Sequence, residues 1–196
     1  MTDTQFPFKT PTAAIVHAFN DERHGGARPA SARLADKRLA DVPEFGGSDG
    51  GAEKATALDM LTKGLTKLQL AALRARYAPR QRRCPCCNQQ VPREDWQAAL
   101  RELAGAASPT VDMPSIRGPL LAALIQRYYE GNTPGLEQLA GNHGVSLSSV
   151  SRANSLVVPW LRGARKTKSD TAPIQGVEQI AFERAEGILR GGGFIE

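Results

Sequence analysis

No stretch of this 196-residue chain is apolar enough for long enough to cross a bilayer, and Met1 to Lys9 lacks the apolar centre of a secretory signal. A cytoplasmic protein with no membrane role is expected. Recognisable catalytic apparatus is equally scarce. There is no Walker A loop, no H-E-x-x-H, no G-x-S-x-G, and no pair of carboxylates beside a histidine in a periodic segment, so an enzyme is not expected. Aromatic residues make up only 6% of the chain, and its three cysteines, in a chain expected to be cytosolic, are read as metal ligands or free thiols rather than disulfides. From Met60 to Arg93 there is no acidic residue at all, although eight lysines and arginines occur there.

That last absence explains the charge. The chain carries a formal +5, with a mean hydropathy of −0.35 and a pI of 9.4. Residues 1–59 and 94–196 each hold slightly more acid than base, so the whole positive excess comes from the segment between them. Lys63, Lys67, Arg74, Arg76, Arg80, Arg82 and Arg83 form a candidate surface for DNA, RNA or a protein such as a polymerase. A solvated helix face without a partner is the competing reading.

The pattern predicts an all-α chain. Its parts are a flexible arm over 1–51, a basic helical region with a cysteine-containing turn over 52–112, and a domain over 113–196 with a C-terminal helix. Within the arm, Pro11 to Phe19 can form a short helix, and GGSDGG at 46–51 reads as a linker. Ala52 to Tyr77 reads as one helix with Leu61, Leu65, Leu68 and Ala72 on its inner stripe. Pro92 to Ala104 follows, with Trp96, Leu100 and Leu103 inside, and Gly105 to Pro114 reads as a loop. In Arg117 to Glu130, Leu120, Leu121, Leu124 and Ile125 share a face with Tyr128 and Tyr129, which suit core packing or, alternatively, base stacking. A last helix is expected over Ile174 to Arg190.

Cys84, Cys86 and Cys87 lie within four residues beside Arg82 and Arg83. Reduced thiols in a turn and ligands of one structural zinc are both open readings, and His143 is the only candidate offered as a fourth ligand.

Leu136 to Leu156 carries the most specific pattern, that of a helix-turn-helix. Ala140 is small where two helices cross, Gly144 can take the positive φ of a tight turn, and Leu139, Val145 and Val150 fill the wedge. Ser146 is placed to cap the second helix, which would offer Leu147, Ser148, Ser151, Arg152 and Ser155 outward. Pro159 is expected to kink or end that helix near Val158, and Arg162, Arg165, Lys166 and Lys168 supply charge for phosphates.

From residue 118 on, the arrangement LLAALIQRYYEG, LEQLAGNHGVSLSSVSR, VVPWL and FERAEGIL resembles the Q-type late-gene antitermination proteins of temperate bacteriophages. CPCCNQQVPREDWQAAL is similar to phage regulatory proteins with a cysteine cluster before a tryptophan-containing helix, and the resemblance spans about residues 60–190. The chain departs from the pattern in its shortened cysteine cluster. The resemblance implies a sigma-region-4-like helix-turn-helix that binds double-stranded DNA at a late promoter in the bacterial host's cytoplasm. It also implies loading onto paused RNA polymerase and read-through of terminators. Ser148, Ser151 and Arg152 would meet base edges. An ordinary helix-turn-helix repressor or activator, and a small terminase subunit that packages DNA, are the alternatives. A monomer or dimer suits the regulator, and a ring suits the terminase.

Overall fold

In the computed structural model, residues 6–20, 49–164 and 174–196 are described. Arg165, Lys166 and Lys168 lie outside them, as do His24 and most of the glycine-rich stretch. Among the described residues there are eight helices and two small antiparallel ladders, in keeping with the all-α expectation. No helix is long and apolar enough to cross a membrane.

The first helix, α1 (Pro11–Phe19), is started by Thr10, whose hydroxyl accepts the Ala13 amide at 3.2 Å, and by Pro11, whose fixed φ suits a first turn. It turns Ala14, Ile15, Ala18 and Phe19 into the core. The short helix expected over Pro11 to Phe19 is present, and it is packed rather than mobile: Ile15 is 0% exposed, and the helix rests on three others, while residues 21–48 of the expected arm lie outside the described residues.

The single helix expected over 52–77 is two, α2 (Asp49–Gly64) and α3 (Lys67–Tyr77). Leu61, Leu65 and Ala72 are all buried, as their common stripe predicts, yet the chain breaks between them. Thr66 and Gln69 cause the break with a capping box, each side chain bonding the other's backbone amide. Beyond α3, Gln81–Arg83 (β1) pairs with Gln90–Pro92 (β2), a hairpin where a simple turn is expected.

Helix α4 (Glu94–Val111) runs through the stretch expected to be a loop. Pro109 lacks an amide, but Leu103, Ala104, Ala107 and Val111 extend the buried stripe that Trp96 and Leu100 begin, and their burial outweighs one lost hydrogen bond. Trp96 is 2% exposed and donates its indole N–H to the Ala75 carbonyl, joining α4 to α3. Next come α5 (Gly118–Tyr129), α6 (Leu136–His143) and α7 (Leu147–Arg162). Pro159 does not end α7 near Val158, because Val157 and Leu161 are both buried and hold another turn in place.

Gly163–Ala164 (β3) pairs with Ile174–Gln175 (β4), and α8 (Val177–Gly191) begins three residues later than expected. Ile174 therefore lies on a strand, 60% exposed, rather than on the helix's apolar side. Buried residues from α1 through α8 form one continuous core, so the stretches 52–112 and 113–196 share it.

Three arginines fasten this core to the helices around α7. Arg76 on α3 donates to both carboxylate oxygens of Glu178 on α8, at 3.1 and 2.9 Å, and its guanidinium lies 5.4 Å from the ring centres of both Tyr128 and Tyr129. The Tyr128 hydroxyl donates to the same carboxylate at 2.8 Å. Arg80 donates to the Tyr129 carbonyl at the end of α5. Arg127 donates to the Pro134 carbonyl at 2.9 Å and to the Asn132 and Asn154 side chains at 3.0 and 3.3 Å, clasping α5, the following turn and α7.

Burial, reinforced by the bond to Glu178, pushes Tyr128 up to about 12, and burial likewise raises Tyr129. The unfolded chain releases tyrosine protons near pH 10, so the Tyr128 contribution is intact below that pH and is lost as pH rises through its folded value. An ultraviolet titration should therefore show well under half of the phenolate signal at pH 10, followed by a rise that coincides with unfolding. Three ordinary tyrosine titrations preceding any loss of helix would contradict the network.

Candidate nucleic-acid interface

The segment 136–162 folds as helix, tight turn, helix. Gly135 opens α6, and Leu139 and Ala140 are buried where it meets its neighbours. Gly144 then takes φ +63°, ψ +31°, a left-handed conformation that a side chain would strain, while the Val145 amide closes the turn on the Ala140 carbonyl at 3.0 Å. Ser146 caps α7 by accepting the Ser149 amide at 3.3 Å, and it also bonds the Ser148 hydroxyl at 3.1 Å. Gly144 and Ser146 take the turn and cap positions expected of them, and Leu139, Ala140 and Val150 are buried with Val145 half-buried.

Helix α7 is strongly two-sided. Val150, Ala153, Val157 and Leu161 face the core. Leu147, Ser148, Ser151, Arg152 and Ser155 are exposed, as the spacing predicts, and Arg162 is exposed at the far end. Leu156, 37% exposed, belongs to the same face. Its signal was four-residue spacing from Arg152, masked by its apolar character. No acidic residue occurs from Leu147 to Arg162, so no carboxylate on this helix opposes an approaching phosphate.

The outward hydroxyls are not equivalent. Ser146 is occupied by the cap, and Ser155 donates back to the Arg152 carbonyl at 2.7 Å. Ser151 and Arg152 have side chains without a hydrogen bond to the described residues, which leaves an arginine and a hydroxyl available on the middle of the helix.

The expected basic surface divides. Lys63, Lys67, Arg82 and Arg83 are exposed, Lys63 within reach of Asp59 at 2.7 Å, and Arg74 is half-buried. The charge of Arg76 is answered by Glu178, and Arg80 is spent on a backbone carbonyl. Arg76 is exposed and ion-paired and Arg80 is half-buried, and both also hold neighbouring helices together. Their partners lie 102 and 49 residues away, beyond the reach of local pattern.

The three cysteines sit at the tip of the β1–β2 hairpin. The Cys84 amide donates to Gln89 O at 2.8 Å and the Asn88 amide to Cys84 O at 2.9 Å, with Asn88 at φ +57°. All three sulfurs lie within 4.8 Å of one another, and Cys84 Sγ is 2.9 Å from Cys86 Sγ. Such a group is capable of holding a metal ion. Hydrogen bonding from the Cys86 thiol, then from the Cys86 and Cys87 amides, lowers Cys84 to about 7. His143, the expected fourth ligand, is exposed in the last turn of α6, and no histidine or carboxylate among the described residues joins the thiols. Its assignment is therefore corrected. Comparison with protein-family models, curated proteins and solved structures finds no match to this chain.

Proposed function

We propose that α7 is a recognition helix and that the chain is a double-stranded-DNA-binding regulator of transcription. The observation that carries this reading is the outer face of α7: exposed, free of acid, and holding Ser151 and Arg152 unengaged while its opposite side is locked into the core. A helix of this width fits the major groove, where an arginine can read guanine by two hydrogen bonds and an apolar group such as Leu156 can meet a thymine methyl. Lys63, Lys67, Arg82 and Arg83 supply exposed charge for phosphates or for a protein partner.

The finer reading is an antiterminator of the phage Q type, with a sigma-region-4-like helix-turn-helix and RNA polymerase as partner. It rests on the order of motifs from LLAALIQRYYEG to FERAEGIL, together with the helix, turn and helix between them. One zinc ion at the thiol cluster belongs to the same proposal. Footprinting on candidate promoter DNA, with and without polymerase, tests both levels. A protected site extended by polymerase, with increased read-through of a downstream terminator, is the expected result. A protein that protects no DNA at any salt concentration would overturn the regulator, and protection without read-through would leave a repressor or activator.

A further inference from the structure

We propose that Cys84, Cys86 and Cys87 bind one soft ion of the zinc class as three thiolates and leave its fourth position to an exchangeable ligand from solution. The inference rests on reading the cluster as a metal site and goes on to assign its coordination. Zinc–sulfur bonds of about 2.3 Å place sulfurs on a tetrahedral ion about 3.8 Å apart. The three sulfurs lie within 4.8 Å of one another, so the change needed is small: Cys84 and Cys86, now 2.9 Å apart, must separate by about 1 Å. Thiol donors without oxygen ligands favour soft ions over magnesium or calcium.

The backbone around the sulfurs suits an ion. The Cys84 amide bond to Gln89 O and the Asn88 amide bond to Cys84 O hold the knuckle in shape, and the β1–β2 ladder fixes both of its ends. Binding releases three protons, Zn²⁺ + 3 RSH → Zn(SR)₃⁻ + 3 H⁺, and leaves a single negative charge beside the exposed Arg82 and Arg83. Cys86 and Cys87 are exposed at the tip, and no imidazole or carboxylate of the described residues comes up to them. No described residue fills the remaining position, which on this proposal goes to solvent, unlike that of a closed structural site with four protein ligands.

Cobalt(II) is the probe, titrated into the full, reduced, metal-free chain. One cobalt per chain is expected, with thiolate charge-transfer absorption that falls by about a third in Cys84→Ser, one ligand of three. The visible bands should shift when 2-mercaptoethanol or imidazole is added, since either occupies the free position. His17→Ala, His24→Ala and His143→Ala should each leave the spectrum unchanged. Bands that ignore added thiol, or that change with any one histidine, would overturn the open position while keeping the metal site. Failure to bind cobalt or zinc at all would overturn the metal site itself.

Discussion

Gly176→Ala is expected to lower stability by about 3 kcal/mol or more, since extra atoms forced into a filled space cost this much when the surroundings cannot yield. A methyl group on Gly176 would sit 2.1 Å from the Gly163 amide nitrogen, 2.3 Å from the Arg162 carbonyl carbon and 2.3 Å from the Leu161 carbonyl oxygen. All three are main-chain atoms at the end of α7, where a rotamer change gives no relief. Gly163 is confined in turn, at φ +88° with the Ile174 carbonyl oxygen 2.7 Å from where its own Cβ would lie. The two glycines therefore let β3 and the start of α8 touch backbone to backbone. In a chain of this length the loss corresponds to a fall in melting temperature of roughly 10 °C, measurable by circular dichroism. Gly187→Ala, on the same helix with nothing within 4 Å, provides the control and should leave stability unchanged or raise it slightly. Equal melting curves for both variants would show that the close approach is not real.

Arg152→Ala should cost about 1–3 kcal/mol on the preferred DNA sequence, roughly a tenfold to hundredfold loss of affinity, and far less on unrelated DNA. The side chain is exposed and bonds no described residue, so its removal leaves the fold intact and the melting temperature in place. Lys67→Ala makes the contrast: an exposed charge contributing only to phosphates would weaken binding to every sequence alike and flatten its dependence on salt. Fluorescence anisotropy on matched and scrambled duplexes separates the two behaviours. If Arg152→Ala lost affinity equally on both duplexes, the arginine would not be a reader of bases, and α7 would have to be demoted to a phosphate-binding helix.

The parts of the molecule that could be read from sequence are those whose physics is local. Ala140, Gly144, Ser146 and Val150 lie within eleven residues and satisfy one another's demands, so their spacing alone predicted the turn and its cap. The stripe from Leu61 to Ala72 predicted burial correctly and continuity wrongly, because two helices in near register preserve the period across a break. Thr66 and Gln69 marked that break, and a capping box is visible in sequence when sought. Composition misled at 105–114, where Gly105, Ser108 and Pro109 read as a loop while the buried Ala107 and Val111 kept the helical phase. The pairing of Arg76 with Glu178 spans 102 residues and depends on how three helices meet. No local pattern reports such a pairing, so the structural work that Arg76 and Arg80 do between helices was not legible in the sequence.

The clasp made by Arg127 divides labour between two helices. Its fork ties the end of α5 to Asn154, on a side of α7 away from Arg152, so α7 is held by a residue that needs no contact with a ligand. The outward positions can consequently be rewritten to suit a new target while the helix keeps its aim, much as a key may be recut without altering the lock barrel that guides it. Turning the helix itself would require a change at Arg127 or Asn154, where one substitution would alter how every outward side chain meets its target together.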